Sequence, residues 1–427
     1  MRRVVPVAAV AACVVAITAP GAAAAPGPGW SVVPTPSPAG ATESALFGVA
    51  CSSAGACTAV GYFQASNRSA PLAERWDGTA FSVQPVPRAG FSSMLHGVSC
   101  PAANACTAVG ASRIFTGGGE FRFVPLAERW DGTAWSIQPL PGPGVAALYG
   151  VSCPAVSDCT AVGAGGAEQW NGSAWSPEPV PSPPGAVPGT VFPRAVSCPA
   201  VSDCTAVGAG GAEQWNGSAW SPEPVPSPPG AVPGTVFPRA VSCPAPSACI
   251  AVGSFSVSTS SSSGLRPLAE RWDGSAWSVL PAPTPPGGGA LDGVSCSAAT
   301  ACTAVGGHRF SPQGLSVLTL AERWNGMVWS IQPTPTPLGA GDAGLSGVSC
   351  PAATACTAAG AFGNPPGSNT LAEHWDGTAW SIQPTPNPGR GDNFLDTVAC
   401  PAPATCLATG TQLQRHSFFA LGERFGP

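Results

Sequence analysis

Cysteine pairs recur along almost the whole chain and restrict its folding more than any other feature. Sixteen of the seventeen cysteines form eight pairs, with five residues between the members of each pair. The pairs are Cys51 with Cys57, Cys100 with Cys106, Cys153 with Cys159, Cys198 with Cys204, Cys243 with Cys249, Cys296 with Cys302, Cys350 with Cys356, and Cys400 with Cys406. Their first members are 45 to 54 residues apart, a spacing typical of a repeat architecture. In an exported chain each pair predicts one local disulfide bond.

The N-terminus carries the pattern of a secretory signal peptide. Arg2 and Arg3 precede an apolar run from Val4 to Ala19, and small residues follow at 22–25. We predict a signal peptide at residues 1–24 and a secreted, extracellular protein; the alternative is a lipoprotein with its lipid on Cys13. No later stretch is long and apolar enough to span a bilayer.

The composition excludes several classes of partner. Charged residues make up 9% of the chain and the net charge is −5, which leaves no basic field for nucleic acid and no polybasic patch for a membrane. Because no His accompanies the cysteine pairs, we expect no metal, and no cofactor. We also expect a monomer. The absence of Lys and the heavy use of Ala, Gly and Pro are typical of a GC-rich bacterial genome, such as that of an actinobacterium.

Each repeat contains four short β-favouring runs. One unit has "LHGVSCPAANACTAVG", then a variable stretch, then "PLAERWDGTAWSIQPLP". Asp-Gly or Asn-Gly between two such runs is a strong hairpin pattern, because these residues tolerate positive φ. Two hairpins per unit of about 50 residues predict an all-β fold, an eight-bladed β-propeller of four-stranded blades. Residues 151–195 and 196–240 are identical, a tandem copy of one whole unit.

The chain begins with a segment that its last unit lacks. That unit stops at "GERFGP", without a fourth strand, whereas "GWSVVPTPSP" at 29–38 resembles a fourth strand with nothing before it. We predict one domain over 25–427, in which 29–38 completes the last blade, formed with 395–427. Closing the ring in this way removes an open sheet edge.

The runs L-x-G-V-S-C, A-C-T-A-V-G and L-A-E-R-W-D-G-T-A-W-S together resemble the repeats of bacterial BNR/Asp-box propellers, especially the photosystem II assembly-factor type. The resemblance covers essentially the whole chain after the leader and implies a propeller fold. Two features depart from it: "RWDGTAWS" is one residue tighter, and a cysteine pair replaces the aromatic and Gly of the first hairpin. Sialidases share such repeats, but their chemistry needs an arginine triad and a Tyr nucleophile paired with Glu. Only Tyr62 and Tyr149 occur, and no Arg set stands apart from the repeats.

Strand direction assigns the two faces of the predicted ring. The cysteine hairpins and Asp-Gly turns fall on one face, and the variable loops between strands 2 and 3 fall on the other. Function usually lies on variable loops of a rigid scaffold. These loops carry exposed aromatic and basic residues that suit a ligand or partner, unless the loops are extended hairpins that pack on each other. The residues are Tyr62, Phe63, Phe115, Phe121, Arg122, Phe123, His308, Arg309, Phe310, Arg415 and His416.

One position in strand 1 varies chemically while its neighbours hardly change. It is the x of L-x-G-V-S-C, and because strand 1 is innermost we expect its side chains to ring the mouth of the central channel. Mixed convergent chemistry suits a ligand site, although a solvated funnel would also permit such variation. The residues are Phe47, His96, Tyr149, Arg194, Arg239, Asp292, Ser346 and Asp396.

The Glu of each "AERW"-type run is predicted to be structural. Alternation places Glu and Arg on opposite faces of strand 3, so stacked blades suggest ion pairs between blades. The Pro-rich segments between units are predicted to be extended spacers that return the chain to the axis. The glutamates are Glu74, Glu128, Glu168, Glu213, Glu270, Glu322, Glu373 and Glu423.

From the sequence we favour the first of three functions, recognition through the variable-loop face and the channel mouth rather than catalysis, and keep the other two as alternatives. The first is a secreted binding or scaffolding module for a glycan, an envelope component or a protein. The second is a glycoside hydrolase or lyase of the sialidase-like propeller type, which would use Asp292 and Asp396 as paired carboxylates. The third is a purely structural envelope protein.

Overall fold

The computed structural model describes residues 29–141, 145–181, 192–258, 263–309, 316–364, 367–388 and 391–426. All regular secondary structure in these ranges is β-strand, in eight four-stranded antiparallel sheets. Nowhere in these ranges is there a helix with the length and apolar character needed to cross a membrane. The predicted signal peptide at 1–24 and Cys13 lie outside the described residues.

Each sheet is one blade, with its strands ordered outward from the axis. The innermost strands are β2 (Glu43–Ser53), β6 (Ser92–Ala102), β10 (Ala147–Ala155), β14 (Phe192–Ala200), β18 (Phe237–Ala245), β22 (Gly289–Ala298), β26 (Ala343–Ala352) and β30 (Asn393–Ala402). The second strands are β3 (Ala56–Ala65), β7 (Ala105–Gly117), β11 (Asp158–Ala164), β15 (Asp203–Ala209), β19 (Ala248–Ser258), β23 (Ala301–Arg309), β27 (Ala355–Asn364) and β31 (Thr405–Gln414). The third strands are β4 (Arg68–Trp76), β8 (Glu120–Trp130), β12 (Gly166–Trp170), β16 (Gly211–Trp215), β20 (Ser263–Trp272), β24 (Val317–Trp324), β28 (Gly367–Trp375) and β32 (Ser417–Gly426). The outermost strands are β5 (Phe81–Gln84), β9 (Trp135–Ile137), β13 (Trp175–Glu178), β17 (Trp220–Glu223), β21 (Trp277–Val279), β25 (Trp329–Gln332), β29 (Trp380–Gln383) and β1 (Gly29–Val33).

The blades form a closed ring around a central channel. Blade 1 begins with β2 and blade 8 with β30. Innermost strands of successive blades contact one another all the way round, and β30 contacts β2. The prediction of an eight-bladed propeller is confirmed.

The outermost strand of blade 8 comes from the N-terminal end of the described chain. β1 pairs antiparallel with β32, with Trp30 opposite Phe425. The hydroxyl of Thr35 donates to the carbonyl of Ala420 at 2.7 Å. The last blade is therefore closed by the segment at the opposite chain end, as predicted, and its sheet has no missing strand.

All eight predicted disulfide bonds are formed, one in each blade, and each closes the hairpin between the innermost and second strands. The bonds join Cys51 to Cys57, Cys100 to Cys106, Cys153 to Cys159, Cys198 to Cys204, Cys243 to Cys249, Cys296 to Cys302, Cys350 to Cys356, and Cys400 to Cys406. The second cysteine of every pair is buried. These second cysteines are Cys57, Cys106, Cys159, Cys204, Cys249, Cys302, Cys356 and Cys406. The disulfides are therefore part of the blade core as well as covalent links across a turn.

The disulfides also take part in the seams between blades. The hydroxyl of Thr58 in blade 1 lies 3.4 Å from Sγ of Cys106 in blade 2. The backbone N–H of Cys153 in blade 3 donates to Oγ of Ser99 in blade 2 at 3.1 Å. Equivalent contacts recur at most seams, so the Thr of "CTAVG" and the Ser of "GVSC" hold neighbouring blades together.

Every innermost strand contains a β-bulge at the variable position. In blade 1, Leu46 pairs with Gly61 and Gly48 with Val60, which leaves Phe47 without a cross-strand partner. A Cβ atom on Gly61 would collide with the carbonyl oxygen of Ala45. The other seven blades repeat both the register shift and the opposing glycine. The Gly of "CTAVG" (or "CIAVG", "CTAAG", "CLATG") is therefore required by the bulge that faces it.

This requirement is tested by two Gly→Ala substitutions in blade 7. A Cβ on Gly360 would strike the carbonyl oxygen of Gly344 and lie 2.8 Å from Cα of Leu345. We expect Gly360→Ala to lower the free energy of unfolding by roughly 1–3 kcal/mol, because the packed strand must shift. In Gly344→Ala the new Cβ meets nothing within 4 Å, and we expect little change. Denaturant unfolding of both variants under oxidising conditions measures the difference, and equal stabilities would contradict the explanation.

Candidate functional site

All eight residues predicted to ring the channel mouth are the extra residues of the innermost-strand bulges. They are Phe47, His96, Tyr149, Arg194, Arg239, Asp292, Ser346 and Asp396. A bulge re-aims one side chain and frees it from cross-strand packing. This explains how the position can change from Phe to Asp while its neighbours stay almost constant.

The residue after each bulge sets how closely the blades approach. A Cβ on Gly97 would lie 2.9 Å from the carbonyl oxygen of Tyr149, and one on Gly150 would lie 3.1 Å from that of Arg194. In the five blades where this residue is Gly, the bulge backbone of the next blade therefore packs against it. The ring of bulge side chains is consequently held by tight backbone contacts and not by mobile loops.

The first part of the ring is aromatic. The ring centroids of Phe47 and Tyr62 are 5.7 Å apart, those of Phe47 and His96 are 6.2 Å apart, and those of His96 and Tyr149 are 5.6 Å apart. Burial, and then the positive charge of Arg194, lower the pKa of His96. His96 is therefore neutral at pH 7 and continues the aromatic surface.

The opposite part of the ring is charged and polar. Arg239 and Asp292 form an ion pair with 2.5 Å between Nη1 and Oδ1. Arg194 is exposed and has no hydrogen-bond or ion-pair partner among the described residues. Burial raises the pKa of Asp396 to about 6. The ring therefore offers an aromatic arc, a basic arc and an acidic arc.

A cavity of about 750 Å³ opens at the basic arc. It brings together four of the predicted residues, Tyr149, Arg194, Arg239 and Asp292. Phe47, His96, Ser346 and Asp396 occupy their places on the ring but do not line this cavity. Its other lining residues are Ala164, Phe192, Ala209, Phe237 and Pro238.

Phe192 and Phe237 were not among the site residues predicted from the sequence. Each precedes a bulge arginine by two residues, and the two side chains are 43% and 44% exposed. The "VFPRA" run in both copies could have indicated them. In an extended strand, side chains two residues apart lie on the same face, so the Phe and the Arg that flank the Pro point to the same side.

The height of the surrounding wall differs between blades. In blades 3 and 4 the hairpin between strands 2 and 3 ends at once, with Gly163 paired to Gly166 and Gly208 to Gly211. In blade 2 the same hairpin continues until Gly117 pairs with Glu120. The cavity therefore lies beside the short hairpins of blades 3 and 4.

The long hairpin of blade 2 carries an aromatic cluster of its own. Phe91 and Phe121 have centroids 4.9 Å apart, and the Arg113 guanidinium lies 4.1 Å from the Phe121 centroid. This mutual packing agrees with the simpler interpretation of the loop aromatics, although Phe115 and Phe123 are each 59% exposed. Phe310, named with them, lies outside the described residues.

The eight strand-3 glutamates are buried in the blade seams, but the predicted ion pairs were wrong. None of these glutamates pairs with an arginine in the described part of the chain. Three of the arginines instead cover tryptophans of the next blade. The guanidinium of Arg75 lies 4.7 Å from the ring of Trp130, that of Arg129 4.3 Å from Trp170, and that of Arg323 4.5 Å from Trp375. Arg75 also donates to the carbonyl of Ala103 at 2.7 Å.

Burial changes the protonation of these glutamates. It raises the pKa to about 7 for Glu168 and to about 8 for the other seven. At neutral pH seven of them are therefore largely uncharged and Glu168 is partly ionised, and none of the eight belongs to the channel site. Among the described residues no group of three or more His, Cys, Asp or Glu is placed to hold a metal ion.

Comparisons with known proteins establish the fold. No protein-family model matches the sequence, and no curated protein matches it significantly. The C-terminal WD40 domain of Sif2 is similar with a TM-score of 0.54 and 8% identity, over 90% of this chain and 97% of that one. Sqt1 from Chaetomium thermophilum, bound to the N-terminus of the ribosomal protein L10, gives 0.50 and 10%, over 90% and 97%. YCF48 from Cyanidioschyzon merolae gives 0.47 and 14%, over 93% and 99%. At these identities the likeness to the Sif2 domain and to Sqt1 shows the propeller fold alone.

The buried glutamates predict stability that falls as pH rises. Their folded pKa values are near 8, whereas their ordinary value is 4.5. Their contribution is fully present below about pH 4.5 and is lost as pH rises toward 8, because the unfolded chain ionises first. The lowered pKa values of His96 and His374 act in the opposite direction, but only below about pH 6.5. We therefore expect a lower free energy of unfolding at pH 8 than at pH 6.5.

Glu270→Gln provides the matched control, because it keeps the side-chain shape and cannot ionise. Its stability should depend less steeply on pH than that of the natural protein. Denaturant unfolding at pH 5, 6.5 and 8 measures both slopes. Stability that rises from pH 6.5 to 8, or a slope that Glu270→Gln leaves unchanged, would contradict this assignment.

Proposed function

We propose that this protein is a secreted binding module that holds a ligand over the channel mouth, on the face that carries the loops between strands 2 and 3. The observation that carries the proposal is the set of eight bulge side chains around one opening, four of which line a cavity of about 750 Å³. A cavity of that volume is in the range of ordinary ligand sites.

The rigidity of the ring supports binding. The bulge side chains are held by backbone contacts between blades, and the hairpin of each blade is closed by a disulfide. A site that is already ordered loses less entropy when it binds. The apolar leader and the eight disulfides support secretion, because disulfides persist in oxidising compartments.

The residues that line the cavity suit a glycan, an envelope component or a protein as the ligand. Tyr149, Phe192 and Phe237 offer faces on which sugar rings or apolar side chains can stack, and Arg194 offers an exposed guanidinium. Sqt1, which is similar in fold, is bound to the N-terminus of a ribosomal protein, and this supports a peptide as one ligand class.

The "DGTAW"-type turn supports a relationship to the BNR/Asp-box repeats. In this turn the Asp131 carboxylate accepts hydrogen bonds from the N–H groups of Thr133 and Ala134.

Tyr149→Ala tests the position of the site. We expect it to weaken binding of the ligand about tenfold or more, because Tyr149 joins the aromatic arc to the cavity. Phe115→Ala is the matched control, since Phe115 is an exposed aromatic on the same face but away from the cavity. The measurement is binding of the oxidised protein to glycan and cell-wall arrays and to envelope proteins.

The two outcomes separate the site from the rest of the face. Loss in the folded Tyr149→Ala variant with retention in Phe115→Ala supports a channel-mouth site. Binding indifferent to Tyr149 would overturn it and would direct attention to the blade 2 hairpin.

A hydrolase is the second candidate, and the observation in its favour is the raised pKa of Asp396, about 6, which suits a general acid. Two features weigh against it. Asp292, its proposed partner, is held by Arg239, and burial together with the charge of Glu43 raises the pKa of Tyr62, contrary to what a Tyr nucleophile needs.

Asp396→Asn tests the hydrolase against the binding module. If the protein releases sugars from a polymer and Asp396→Asn abolishes the release, the protein is an enzyme. If Asp396→Asn binds as the natural protein does and neither releases product, the binding module stands. A purely structural protein would tolerate Tyr149→Ala and Asp396→Asn alike and would bind none of the probes.

A further inference from the structure

The tandem copy places two identical surface elements side by side at the cavity. Each is a Phe-Pro-Arg run at the start of an innermost strand, Phe192 to Arg194 in β14 and Phe237 to Arg239 in β18. β14 and β18 are neighbours in the ring and contact each other. The cavity is therefore lined twice by the same side chains, in the same order.

The local structure directs the Phe and Arg of each element outward. Pro193 and Pro238 are buried, whereas the four flanking side chains are exposed. The bulge that follows each proline releases the arginine from cross-strand pairing. Each element therefore presents one aromatic face and one guanidinium to the cavity.

The charges of the two arginines differ in availability. Arg239 is paired with Asp292. Arg194, the bulge residue of the neighbouring blade, has no hydrogen-bond or ion-pair partner among the described residues. Arg194, Arg239 and Asp292 together therefore carry a net formal charge of +1. Guanidinium groups bind carboxylate and phosphate with two parallel hydrogen bonds, and aromatic rings stack on the faces of sugars.

We propose that the two Phe-Pro-Arg elements are adjacent subsites for an anionic glycan whose repeating unit carries a carboxylate or a phosphate. The inference rests on the proposed function, because it names the ligand class of the channel-mouth site. Two adjacent subsites built from the same Phe-Pro-Arg run match a ligand that repeats its own chemistry, although Asp292 pairs with the arginine of only one of them. Among the described residues, the hairpins of blades 3 and 4 end close to the cavity, which suits a polymer that extends beyond it.

The probes are four soluble polymers, used with the oxidised protein at low and physiological salt. Polygalacturonate carries carboxylates, poly(glycerol phosphate) bearing sugar substituents carries phosphates, dextran is neutral, and polyglutamate is anionic without sugar rings. We expect one or both anionic glycans to bind, more weakly as salt rises, and dextran and polyglutamate to bind at least about tenfold more weakly. The carboxylate and phosphate arms identify the source of the anion.

Three variants locate the contact. Arg194→Ala should weaken binding about tenfold, and Arg194→Ala combined with Arg239→Ala should weaken it further. Asp292→Asn should strengthen binding, because it frees Arg239. Arg122→Ala is the matched control, an exposed arginine on the blade 2 hairpin, and should leave binding unchanged.

The outcomes distinguish this inference from the proposed function. Binding of dextran or of a protein that depends on Tyr149 but not on Arg194 would overturn the inference and leave the channel-mouth site standing. Polyglutamate that binds as well as the anionic glycans would overturn the sugar part. No binding of any glycan or protein by the folded chain would overturn both.

Discussion

The bulge in each innermost strand is the constraint on which the rest of the structure depends. The extra residue bends the strand against its partner, which leaves room only for glycine opposite, as at Gly61 facing Ala45 and Leu46. The same bulge brings the backbone of one blade onto the small residue of its neighbour. It also releases one side chain per blade into the channel mouth. Closure of the ring and the chemistry of the site thus have one geometric cause.

The seams are built from polar contacts of modest individual strength that repeat around the ring. A Thr hydroxyl near a disulfide sulfur and a Ser that accepts a Cys N–H recur at six seams each, and an Arg that covers a Trp of the next blade occurs at three seams. Ala50 replaces the Ser at the seam between blades 1 and 2, and Ile250 replaces the Thr at the seam between blades 5 and 6. The seam between blades 8 and 1 lacks both, since Leu407 and Ala399 replace the Thr and the Ser. There Leu407 packs with Cys57, and β1 supplies the closing strand. The buried glutamates lie in the same seams and are accommodated by remaining neutral.

Features that depend on residues close in the sequence were predicted correctly, whereas contacts between blades were not. Turns, strand order and disulfides depend on residues close in the chain, and the Asp-Gly turns and cysteine spacing were sufficient to predict them. The variable position before "GVSC" was also found, because its chemistry changes against a constant background. Glu–Arg pairing failed because strand alternation specifies which face a side chain takes but not its height across a seam. Arg75 reaches Trp130 and the carbonyl of Ala103 instead.

The sequence by itself determined the eight-fold repeat, the four strands of each blade and the disulfide in each hairpin. It also determined that an N-terminal strand completes the last blade. These features follow from spacing along the chain and from the number of units. Only the tertiary structure decided which of the eight bulge residues share a cavity. Which residues line the cavity depends on the lengths of hairpins in separate blades and on the ion pair between Arg239 and Asp292 of neighbouring blades. It also added Phe192 and Phe237, since exposure at a channel mouth is a property of the closed ring and of no single repeat.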